Sequence, residues 1–305
     1  MKESIENIFR NNIKLLYETD KAVFYFRQQQ YDIALGILAD SIDRIKYTVE
    51  AIISSHDYFN LVDSDSVIGM LTGILKAKKS MDYILLGDLL ELQLLSFLYS
   101  VQELIISKEE ISFDEEEYQR NRKLLFQKSE NLPDQISEPI NPAGLVEKGY
   151  RVEFTSCGLM TLAAENEGKD FYFHSNSGVQ REAFLLAKHW FKEEINRYIL
   201  YGFGMGYHIR ELLMLSQEAQ IEVYESDSNV LQLACAFSDI GDILSEKRVK
   251  LIYDADLTLL KERKERLTDS EKLIVHYPSY QNLRNNKNRK IIEDEFPWSK
   301  TIESC

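Results

Sequence analysis

Between residues 198 and 280 short apolar segments alternate four times with helical ones, and this alternation constrains the fold most. The spacing predicts strands at Tyr198–Tyr201, Ile221–Tyr224, Val249–Tyr253 and Leu273–His276, with helices after Gly206, Asp227, Asp256 and Tyr280. Strands separated by helices cannot be joined as hairpins, so a parallel sheet with crossover helices is expected. Upstream, Tyr150–Phe154, Leu159–Ala163 and Phe171–Phe173 read as a small antiparallel meander.

The first part of the chain has another period. Tyr31, Leu35, Leu38, Ile42, Ile45, Val49 and Ile52 follow a 4-3-4-3 spacing that places all seven on one helical stripe. Ile5, Phe9, Ile13 and Leu16 begin another, and Asp63–Ser66 offers cap oxygens to a helix through Val67, Leu71 and Leu75. From Tyr83 to Ile106 apolar residues face all directions, but Asp88 and Glu91 near the middle argue for a bundle helix rather than a membrane span. The expected class is α/β: a helical bundle over residues 1–130, a proline-containing linker over 131–147, and a β-meander with a Rossmann-like parallel sheet over 148–305. The heptad-like stripe leaves a homodimer, or a protein partner docked on the bundle, as its other use.

Composition narrows the function classes. With 36 basic and 50 acidic residues among 305, the net charge is -14, which disfavours phosphate backbones and nucleic-acid partners. The basic group Arg284, Lys287, Arg289 and Lys290 reads as a solvated helix face. MKESIENIFRNN lacks an apolar signal core, and Cys157, Cys235 and Cys305 fit neither a disulfide framework nor a zinc pattern, so a cytoplasmic protein is expected. Five histidines show no two-ligand helical spacing, and no metal site is expected.

The chemistry-bearing signal is Gly202-Phe203-Gly204-Met205-Gly206-Tyr207-His208 at a strand-to-helix junction. Glycines permit a tight turn and close approach of a ligand, and helix-start N–H groups attract negative charge. Glu225 closes the next strand, where a carboxylate can accept ribose hydroxyls, and Asp254 closes the third, where it can meet an adenine amino group. His208, after the loop, faces a ligand or solvates the helix start, and His276 lies on the crevice side of a strand end. Gly202, Gly204, Gly206, His208, Glu225, Asp254 and His276 are therefore the candidate cofactor-binding residues, the ligand being S-adenosylmethionine or another small nucleotide-like molecule. Tyr207 stands where the dinucleotide fingerprint has a glycine, which counts against NAD.

Two resemblances follow. Gly202-Phe203-Gly204-Met205-Gly206 resembles motif I of S-adenosylmethionine-dependent methyltransferases, with Glu225 and Asp254 on their ribose and adenine positions; His276–Tyr280 is loosely similar to the loop of amino-methylating members. A broader block is similar to the N-terminal Rossmann-like region of bacterial motility accessory factors, which glycosylate flagellin with nonulosonic acids. It comprises His174-Ser175, Glu182-Ala183, Ile199–His208 with Glu211-Leu212-Leu213, and Val223–Asp227. The transferase loop of that family, Gly-Pro-Ser-Leu, does not occur in this sequence. The resemblance therefore implies an accessory or ligand-binding protein of flagellar or surface glycosylation without the transferase domain.

Overall fold

The computed structural model describes residues 3–60, 62–111, 114–133, 148–166, 168–283 and 289–293. The chain forms two compact units, one of residues 1–110 with 154–159, the other of 111–153 with 160–305.

The first unit is helical. Helix α1 (Glu3–Arg27) starts with Glu3 and Glu6 and ends on Arg27, a charge order that suits the helix dipole. Its buried Ile5, Ile8, Leu15, Leu16, Val23 and Phe26 recur at helical spacing. It packs along α2 (Tyr31–Ser54), which buries Leu38, Val49 and Ile52 but leaves Ile42 of the predicted stripe exposed. Asp63 caps α3 (Ser64–Lys79) by accepting the Asp65 and Ser66 N–H groups.

The apolar span is one helical run in three parts: α4 (Tyr83–Leu89), a π turn at Leu90–Leu94, and α5 (Leu95–Ile106). By length and composition alone Tyr83–Ile106 could cross a membrane. In the fold, Leu86, Leu90, Leu94, Leu98 and Val101 are buried, and Arg27 pairs with Asp88 at 2.8 Å and Glu91 at 2.6 Å. The mid-span carboxylates thus meet a cation on α1, as a bundle helix requires. Asn12 adds a buried polar key, donating to the Leu98 carbonyl at 2.7 Å and Gln102 Oε1 at 2.8 Å.

The second unit begins with α6 (Glu115–Lys128), capped by Asp114, and the short strand β1 (Ser129–Glu130). Strands β2 (Tyr150–Phe154), β3 (Met160–Asn166) and β4 (Lys169–Tyr172) form a three-stranded sheet in that order, with β3 and β4 antiparallel, and α7 (Val179–Trp190) follows. Then β5 (Arg197–Tyr201), α8 (Tyr207–Leu215), β6 (Gln220–Glu225), α9 (Ser228–Phe237), α10 (Gly241–Ser245), β7 (Val249–Tyr253), α11 (Thr258–Lys264), β8 (Glu271–Val275) and α12 (Tyr277–Gln281) alternate, and Lys290–Glu293 forms α13. The large sheet has the order β1-β7-β6-β5-β8 and every pairing in it is parallel. Ile199, Leu200 and Tyr201 are all buried, the continuous apolar run of a strand covered on both faces.

Two features depart from the sequence reading. Helix α6, expected as part of a bundle over 1–130, packs on α9 and α10, and Asn121 donates to the Cys235 and Ser238 carbonyls at 3.0 and 3.3 Å. It serves the parallel sheet instead. Strand β1 extends that sheet through Ser129 opposite Leu251 and Glu130 opposite Ile252, a pairing too short to leave a sequence pattern. The expected linker lies, from residue 134 onward, outside the described residues, as do Arg284 and Lys287 of the basic group.

Candidate functional site: the glycine loop and three buried histidines

The loop leaves β5 at Tyr201 and enters α8 at Tyr207. Gly202, Gly204 and Gly206 have φ of +102°, +51° and +83°, the left-handed region in which a side chain is strained. The sequence thus places glycine where the turn demands it.

The space those glycines open is filled by the chain's own side chains. A Cβ on Gly202 would collide with Ser279 and come within 3.0 Å of the His276 Cβ. On Gly204 it would lie 2.8 Å from His174 Nε2 and 3.2 Å from His276 Cε1. On Gly206 it would meet Ile243 at 2.8 Å and Ile240 at 3.2 Å. The close approach expected of a ligand is made here by three polar side chains and two isoleucines.

Four N–H groups of the loop are engaged inward as well. Gly202 donates to the Tyr224 carbonyl at 2.8 Å, Phe203 to Glu225 Oε2 at 2.9 Å, Met205 to His174 Nε2 at 3.1 Å, and Gly206 to the Phe203 carbonyl at 3.0 Å. Glu225, expected to meet a ribose, is buried, and its other oxygen accepts the Ser226 and Asp227 N–H groups at 2.8 and 2.9 Å. Burial pushes its carboxyl up to about 7 against the pull of those N–H groups. Asp254, expected near adenine, is also buried and accepts the Leu260 N–H at 2.8 Å, tying the end of β7 to α11. Burial raises its pKa too, and N–H groups of Leu260, Leu259 and Thr258 oppose the shift.

His208 and His276 lie at this same end of the sheet, and neither reaches solvent. His208 donates Nε2–H to the Gly202 carbonyl at 3.0 Å rather than solvating the start of α8. The His276 N–H donates to the Tyr201 carbonyl at 2.9 Å, and its Nδ1 shares a proton with Ser279 Oγ at 2.8 Å. Their rings are nearly parallel, 8° apart, with centroids at 4.2 Å. His174, which is not among the candidate cofactor-binding residues, completes the group at 4.9 Å from His276 and 5.6 Å from His208. Desolvation holds the His208 and His276 rings neutral: His208 falls to about 3, and His276 is pushed well below the usual histidine range. His56 and His189 are exposed and stand apart.

A second polar cluster was also missed. Tyr150 donates to Asp227 Oδ2, and Asn282 donates to that oxygen at 2.7 Å and to the Tyr150 hydroxyl at 3.2 Å. Burial and the Asp227 charge raise the Tyr150 pKa. The signal for this cluster was positional: Asp227 follows the end of β6, and Asn282 follows β8 by a short helix.

No protein-family model matches the chain, and no curated protein matches it. The motility accessory factor resemblance therefore rests on the residues quoted for it. Among solved structures the chain is similar to the crystal structure of MNMC2 from Aquifex aeolicus, at 17% identity and a TM-score of 0.25. The match covers 57% of this chain and 59% of that one, so the chain spans about three fifths of that protein's length. A likeness at that TM-score carries no functional argument.

Proposed function

We propose that this chain is an accessory Rossmann-like protein of the motility accessory factor type, serving bacterial surface glycosylation through a partner. On this reading it turns over no cofactor at its glycine loop. One observation carries this reading. His174-Ser175, Glu182, Gly202–His208 and Glu225, the scattered pieces of the resemblance, are tied together in pairs by four hydrogen bonds around the loop. Ser175 N–H donates to Glu182 Oε2 at 2.9 Å, His174 accepts from Met205, His208 donates to Gly202, and Glu225 accepts from Phe203. These hydrogen bonds hold the loop against the sheet with no nucleotide-like ligand between the partners. Exposed Ile68, Leu75, Ile84 and Leu92 on the helices of the first unit support a protein partner.

A second reading, an S-adenosylmethionine-dependent methyltransferase, is favoured by one fact: Glu225 and Asp254 close adjacent parallel strands beside the glycine loop. The test is genetic. Deleting the gene and comparing surface glycoproteins by mass spectrometry should show loss of nonulosonic acid from a surface protein. Unchanged glycans with a lost methyl mark would replace the first reading by the second.

A further inference from the structure

Three buried imidazoles that converge need an explanation beyond packing. The nitrogen atoms that His174, His208 and His276 can offer lie within 4.8 Å of one another, and the cluster brings together the turn after β4, helix α8 and the end of β8. We propose that these three histidines form a binding site for one divalent transition-metal ion of the zinc class, a structural ion that clamps the glycine loop.

The outer contacts are those that ligating histidines make. Such a ring commonly donates its second N–H to a carbonyl, hydroxyl or carboxylate, which fixes the tautomer and aims the other lone pair. His208 does so through Nε2–H to the Gly202 carbonyl, leaving Nδ1 as a buried lone pair without a hydrogen-bond partner. His276 has Ser279 Oγ 2.8 Å from Nδ1; with Nδ1–H donating to that hydroxyl, Nε2 is the second buried lone pair without a partner. His174 Nε2 accepts the Met205 N–H at 3.1 Å, which puts the ring proton on Nδ1, 3.6 Å from Glu182 Oε1 and without a hydrogen-bond partner; an ion at Nε2 would displace that N–H. His208 and His276 thus each offer one nitrogen without a hydrogen-bond partner, and His174 offers one that accepts a backbone N–H.

The donor set selects the ion. Three neutral imidazoles suit zinc, cobalt, nickel or copper, whereas calcium and magnesium need oxygen ligands. The surroundings select the role. His174, His208 and His276 are buried, with the Tyr207 ring 5.1 Å from His174 and the Trp190 ring 5.8 Å from His208, so the ion would be enclosed rather than open to substrate. The parallel stack of His208 on His276 sets one requirement: a ring must turn about its side-chain bonds so that both lone pairs address one ion.

The test uses the full chain, stripped with a chelator and titrated with cobalt(II). The expected result is one equivalent bound, with the visible bands of a low-coordinate nitrogen site, and a higher melting temperature with cobalt or zinc but not magnesium. His208→Ala should abolish uptake. Because a buried histidine variant can fail to fold, Ser279→Ala supplies the second arm: it removes only the group that aims His276 and should weaken binding about 10–100-fold. Absence of uptake by the folded wild-type chain overturns the proposal. Uptake that both variants leave unchanged, or sulfur ligation in the X-ray absorption spectrum, overturns it equally.

Discussion

The Glu225 carboxylate accepts the Phe203 N–H at 2.9 Å, so the end of β6 holds the glycine loop of the neighbouring strand directly. Both carboxylate oxygens serve backbone N–H groups. Glu225→Gln keeps the shape but turns an NH₂ toward at least one of those donors, leaving a buried group unpaired. At pH 4.5, where the carboxyl's contribution is full, the expected loss is about 1–3 kcal/mol, read as a lower denaturant midpoint in urea. An unchanged midpoint would show that the carboxylate is free to serve a ligand.

The same group gives the fold a pH dependence. Its folded pKa is about 7, against 4.5 as the ordinary value. Between these limits the folded chain holds a proton that the unfolded chain has released, so this contribution to stability is full below about pH 4.5 and declines as pH rises toward 7. The total is about 3 kcal/mol. Urea unfolding of wild type and Glu225→Gln across that range should show wild type losing stability relative to the variant. Parallel profiles would contradict the assignment.

Gly204 tests whether its open space belongs to packing or to a ligand. Gly204→Ala adds a Cβ 2.8 Å from His174 Nε2 in a backbone conformation at φ +51°. The left-handed conformation alone costs about 1–2 kcal/mol, and crowding the histidines adds about 1–3. A clear drop in melting temperature is expected; a fully stable variant would mean that the histidines yield readily and the space is available to a ligand.

Much of the second unit is legible in the sequence because its strands are continuous apolar runs ending in turn residues. Tyr150–Phe154 and Val249–Tyr253 coincide with β2 and β7, and the glycine loop falls at the expected junction. Helix α7 has Gly178 at its cap with no side-chain bond, and it ends at Trp190 because Phe191 is extended. The histidine cluster had no local signal. His174, His208 and His276 stand 34 and 68 residues apart in the chain, and only the adjacency of β5 and β8 brings the last two together. For Glu225 and Asp254, position at a strand end is visible in sequence, whereas which way a carboxylate turns is decided by the nearest N–H groups.

Helix α6 gives a test of the unit boundary. Asn121 is fully buried and donates to two carbonyls at the end of α9. Asn121→Ala should cost about 1–3 kcal/mol by leaving them unpaired, and hydrogen exchange should quicken in α9 and α10. Faster exchange confined to residues before 110 would assign α6 to the first unit.

The central claim is that the glycine-loop crevice is occupied by His174, His276 and Ser279 rather than by a nucleoside. Isothermal titration of the wild-type chain with S-adenosylhomocysteine tests it most directly. No saturable heat is expected. Saturable one-site binding that Glu225→Gln weakens about tenfold to a hundredfold, the loss of one charged hydrogen bond, would contradict it.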